Sequence, residues 1–130
     1  MKSYLGLGLA MLAGAVLGAA AVSGLHAQGK SPGAYVIISY SDIGDAAAFK
    51  AAIGDKAPAA IKNGGGHFIV GTNDIIPLRA ANPPIKRFVI LGFDSVQQAK
   101  TWYGSDAMKS INEFNEAKTK GYSFVIAAPQ

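Results

Sequence analysis

Lys86–Asp106, KRFVILGFDSVQQAKTWYGSD, decides the fold. Arg87–Phe93 is apolar, β-branched and aromatic, which predicts a strand. Asp94 or Ser95 then offers a side-chain oxygen to the orphan N–H groups of a helix start. Val96, Ala99 and Tyr103 recur at helical spacing and share one face. The local unit is a strand, a capped turn and an amphipathic helix that ends in the aromatic pair Trp102-Tyr103. Gly104-Ser105-Asp106 breaks the chain and recaps it for a second helix over about Ala107–Lys120, with Met108, Ile111 and Phe114 on one face.

Working outward, Gly121 ends that helix and Tyr122–Ala127 is the last strand. On the N-terminal side, Ala34–Ser41 is a β-branched, Tyr-rich first strand. Asp42–Asp45 turns the chain, and Asp45 can cap a helix that runs to about Asn63. Gly54 and Pro58 weaken its middle, which predicts a break near Asp55–Pro58. Gly64-Gly65-Gly66 ends the helix. His67–Gly71 is a second strand, and Thr72-Asn73-Asp74 turns it into a further short strand, Ile75–Arg79. Asn82-Pro83-Pro84 is a loop. This order is a split β-α-β pattern: an α+β, ferredoxin-like fold with an antiparallel sheet and an extra hairpin.

Helices must cover one face of such a sheet. Alternation assigns Val36, Ile38, Phe68, Val70, Val89, Leu91 and Phe93 to the helix side. It leaves Tyr35, Ile37, Ser39, His67, Ile69, Phe88, Ile90 and Val125 on the other side, a set too apolar to face water. Two copies joined through that face, forming one barrel, are the economical solution.

The first 27 residues read as a signal peptide. Lys2 gives a positive start and Leu5–Val22 is an apolar run of about 18 residues, the length at which an uncleaved membrane anchor becomes the alternative. Cleavage after Leu25-His26-Ala27 would leave Gln28 first, with Ala21-Val22-Ser23 as a second candidate site. Residues 28–33 are a linker and 34–128 the domain. The expected location is the periplasm or the exterior, with membrane contact only through an uncleaved leader. The chain has no cysteine, so disulfides, thiol catalysis and cysteine metal sites are excluded. Its net charge of +4 is scattered without a basic run, which argues against nucleic acid as a partner.

AYVIISYSDIGDAAAFKAAI, GGGHFIV and RFVILGFDSVQQAKTWYGSD together resemble the DUF1330 family over about Ala34–Ala127. The resemblance implies membership of the dimeric α/β-barrel superfamily, which includes cofactor-free monooxygenases, muconolactone-type isomerases and haem enzymes. It implies a fold and a homodimer but no reaction. Where members often read GGR, this chain has Gly65-Gly66-His67, and Gly71 stands at a second arginine position. Acidic residues common on the inner strands are Ser39 and Gly92 here, which leaves a less charged pocket.

His67 is the remaining imidazole of the body, and imidazole as a side-chain type suits proton transfer near neutral pH, so it is the candidate general base. A hydrogen-bonded residue at a strand start is the plainer reading. Tyr35, Ser39, His67, Arg87, Trp102 and Tyr103 form the candidate ligand-binding set. Arg87 could hold a carboxylate, and Trp102-Tyr103 could wall a pocket or pack the helix on its sheet. No metal site and no cofactor is expected. The glycine run ends a helix and opens a strand, the reverse of a phosphate-binding loop. Two functions follow: an exported protein that binds a small apolar or aromatic molecule in a homodimeric barrel, and a cofactor-independent isomerase or monooxygenase that uses His67. A ligand-free interaction module is the third.

Overall fold

The computed structural model describes residues 30–80 and 82–129. The expected leader, residues 1–27, lies outside them. Strands β1 (Ala34–Asp42), β2 (His67–Thr72), β3 (Arg87–Phe93) and β4 (Lys120–Ala127) form one antiparallel sheet in the order β2-β3-β1-β4. Between β1 and β2 lie α1 (Ala46–Phe49), a π-helical turn (Lys50–Gly54) and α2 (Ala57–Asn63). Between β3 and β4 lie α3 (Val96–Tyr103) and α4 (Asp106–Lys118). This is the expected α+β, ferredoxin-like arrangement, and the sheet is open rather than closed.

Local chemistry places the helix ends. Asp45 accepts from the Ala48 N–H at 2.7 Å and starts α1. The helix then widens: the Asp55 N–H reaches back five residues to the Lys50 carbonyl at 2.8 Å. Pro58 sits in the first turn of α2, where its missing N–H costs nothing. Ser95, rather than Asp94, caps α3 by accepting from Gln98 N–H at 3.0 Å. Ser105 stands at the start of α4, but its side chain does not cap that helix: its hydroxyl donates to the Trp102 carbonyl at 2.7 Å.

The core lies between the sheet and the helices. Val36, Tyr40, Val89, Leu91 and Phe93 from the sheet meet Phe49, Ile53, Ile61, Trp102, Met108 and Ile111 from the helices. The Trp102 ring stands 5.0 Å from that of Phe93, and Tyr40 meets Phe49 edge-on at 5.2 Å. The triple glycine does more than end α2. A Cβ on Gly64 would collide with Trp102, on Gly65 with Gln98, and on Gly66 with Phe93 and Ile61. Only side-chain-free backbone lets α3 settle here, and Gly65 also needs its φ of +84°.

Three expectations are corrected. Ile75–Arg79 is irregular, so the extra hairpin does not form; the described residues between β2 and β3 belong to one long connection instead. Pro77 interrupts that stretch and lacks a donor for a ladder. Val70 lies on the open face rather than the helix side, because a bulge at Ile69 makes Phe68 pair with Leu91 but Val70 with Ile90. Val125 packs against the core rather than on the open face, because it pairs with Val36.

Candidate functional site

Register defines the open face in three rows. His67, Gly92, Tyr35 and Ile126 form the first. Val70, Ile90, Ile37 and Phe124 form the second, and Thr72, Phe88, Ser39 and Tyr122 the third. None of these is an acid, a lysine or an arginine. Tyr122 is 64% exposed, Phe124 46% and Ile126 45%, although all three are large apolar or aromatic groups. Tyr122 and Phe124 stack at 6.1 Å. These β4 residues were not singled out from the sequence; alternation counted from Gly121 would have found them.

The two ends of the face differ. At one end the His67 ring and Pro32 lie over Gly92, where a Cβ would stand 2.7 Å from His67 Cε1 and 2.8 Å from Pro32 Cγ. Any side chain at 92 would displace the ring. The His67 side chain is exposed and makes no hydrogen bond among the described residues. At the other end, Asn82, Pro83 and Ile85 of the long connection stand beside Ser39, Ser41, Gly121 and Tyr122 around a hollow of about 280 Å³. Ser39 is buried in its floor.

The candidate residues therefore fall into separate places. Tyr35, Ser39 and His67 share the open face. Arg87 pairs with Tyr40 on the helix side of the sheet, and its guanidinium donates to Asn73 Oδ1 at 3.0 Å. Trp102 is buried in the core, and its Nε1 has no acceptor among the described residues. Tyr103 is exposed beside it, with ring centroids 6.0 Å apart. Both rings line a hollow of about 280 Å³ between α3 and β4, on the opposite side of the sheet from His67. Among the described residues no group of three or more acids and imidazoles stands close enough to hold a metal ion. Among them, too, no helix is long and apolar enough to cross a membrane.

The Tyr40 phenol ionises away from its ordinary value. Burial pushes its hydroxyl above the usual 10.0, while its bond to Asn115 and the nearby Arg87 charge pull the other way and Tyr103 adds to the rise. It donates to Asn115 Oδ1 at 3.0 Å, tying β1 to α4.

An open antiparallel sheet with helices on one face and an apolar, acid-free surface on the other defines a ferredoxin-like α+β protein. The chain belongs to the family described as "Domain of unknown function (DUF1330)", whose model matches residues 33–128. A crystal structure of a protein of unknown function from Rhodopseudomonas palustris, a structural genomics target, superposes with a TM-score of 0.57 at 11% identity. The match covers 84% of this chain and 92% of that one, and at this identity it speaks for the fold alone. No curated protein matches the chain at a significant level.

Proposed function

We propose that this is an exported homodimer whose two open faces meet in a barrel and enclose a small apolar or aromatic molecule. One observation carries this reading: four strands present a continuous apolar surface in which Tyr122, Phe124 and Ile126 remain exposed. Such a surface is costly in water and marks an interaction site. Pairing it with itself satisfies two-fold symmetry without a second kind of partner. Ser39, Tyr35 and His67 supply the few polar groups that would orient a ligand among apolar walls. Export rests on the sequence of residues 1–27.

Native mass spectrometry of the protein purified from its exported fraction tests all three parts. A dimer with a discrete adduct and no leader is the expected spectrum. A monomer at micromolar concentration would overturn the barrel. A bare dimer that takes up no apolar probe would make it a ligand-free interaction module.

The enzymatic reading assigns His67 as general base for an isomerisation or oxygenation without cofactor. Its position at one end of the open face supports it; the lack, among the described residues, of a side chain hydrogen-bonded to the ring does not. His67→Ala should cost an enzyme about a hundredfold or more in turnover and leave a binding protein's affinity largely intact.

A further inference from the structure

A second groove lies on the other side of the sheet, where α3 and α4 pass over the edge strand β4. Its apolar half is the hollow of about 280 Å³ lined by Val36, Ala99, Trp102 and Val125. Its polar half is a hollow of about 220 Å³ lined by Tyr40, Asn115, Glu116 and Thr119. Tyr103 and Ser123 line both, so the two halves adjoin. Together they reach the range of ~300–1,000 Å³ typical of small-molecule sites.

The polar half is a built hydrogen-bonding station. Tyr40 is only 5% exposed, and its hydroxyl donates to Asn115 Oδ1 at 3.0 Å. Thr119 Oγ1 donates to the main-chain carbonyl of Asn115 at 2.7 Å. This leaves an accepting lone pair on the Tyr40 oxygen and a donating amide on Asn115 Nδ2, which has no acceptor among the described residues. One hydroxyl group satisfies both: it accepts from the amide and donates to the phenol oxygen. Both floor groups are neutral, and the charges at the rim, Lys100, Glu116 and Lys120, are exposed and mixed in sign. The groove therefore favours a neutral head over an ionised one.

We propose that this groove binds a small neutral amphipathic molecule, with an aromatic or alkyl body against Trp102 and Val125 and a hydroxyl head on Tyr40 and Asn115. The site lies within one protomer, and Phe124, Ser39 and Tyr122 of the open face reach its edge.

The chain has a single tryptophan, so its one indole N–H resonance reports the apolar half directly. We would titrate the protein with 2-naphthol and follow that resonance, with naphthalene as the body lacking the head. A saturable shift is expected, with 2-naphthol about tenfold tighter than naphthalene. Tyr40→Phe should narrow the gap between the two probes, and Tyr40→Phe combined with Asn115→Leu should bring them to equal affinity. Ser123→Phe, an exposed position where the halves meet, should abolish the shift without touching the core. Ile37→Lys, on the far face of the sheet, should retain it even as a monomer. No saturation, equal affinity of the two probes for the unmodified protein, indifference to Ser123→Phe, or loss of the shift in Ile37→Lys would each overturn the proposal; the last would move binding into the barrel.

Discussion

Gly92 and His67 show how one missing side chain shapes the open face. The imidazole occupies the space a Cβ would take, with Pro32 beside it. Gly92→Ala should therefore destabilise the protein by about 1–3 kcal/mol in chemical denaturation through overpacking. Part of that cost should vanish when His67 is also changed to Ala, because the ring contact is removed while Pro32 Cγ still stands 2.8 Å from the new Cβ. An equal cost in both backgrounds would show that the ring does not pack on Gly92. Tyr40 gives a pH-dependent counterpart. Its pKa is raised in the folded state, chiefly by burial, so the folded protein holds the phenol proton more firmly than the unfolded chain. The resulting stability is fully present below the unfolded value of 10.0 and is lost as pH rises through the folded pKa. Melting temperatures across pH 8 to about 11.5 should fall more steeply in the unmodified protein than in Tyr40→Phe. Parallel curves would remove Tyr40 from the alkaline transition. The sequence separated Tyr35 from Tyr40 by simple alternation, but the partner Asn115 lies 75 residues away and could not be read from either position.

Helices α3 and α4 meet at a break whose logic is only partly local. A cap at Asp94 or Ser95 was legible because both precede an apolar-periodic run, and the structure assigns the role to Ser95. Ser95→Ala should cost about 1 kcal/mol by loss of the Gln98 N–H bond, read as a shift in denaturation midpoint. A neutral result would mean that packing of Trp102 alone holds α3 in place. Ser105 reads equally well as the next cap, yet its hydroxyl turns back to Trp102. A cap residue between two helices has two candidate partners, and the choice depends on the angle at which the second helix leaves. The strand edges tell the same story. Both ends of β2 were expected within a residue, but the bulge at Ile69 reversed Val70 because register is a property of two strands. Ile75–Arg79 looked like a strand by composition, and no neighbour accepts it.

The proposed dimer rests on the face the helices leave uncovered. Ile37 stands in the central row of that face, between Ile90 and Phe124. Ile37→Lys places a charge where a second copy would exclude water, and an unpaired buried charge of this kind is strongly unfavourable. Within a lone protomer the same lysine can reach solvent. Analytical ultracentrifugation should show a folded monomer for this variant and a dimer for the unmodified protein. A variant that remains dimeric would exclude the open face as the interface. Leu91, by contrast, is fully buried on the helix side, so Leu91→Ala should destabilise the fold itself by about 2–5 kcal/mol whatever the oligomeric state.

Periodicity, caps and glycine punctuation lie in neighbouring residues, so the four strands of the sheet, the broken first helix and the paired second helices could be read from the chain alone. So could the presence of an apolar second face. The composition of that face could not, because a single bulge and an eight-residue edge strand settle which of Val70, Val125, Tyr122, Phe124 and Ile126 belong to it. Nor could the grouping of the candidate site. Tyr35 and His67 come together through Gly92, Arg87 faces the other way, and Trp102 enters the core, because strand pairing and helix packing join residues with no fixed separation in sequence.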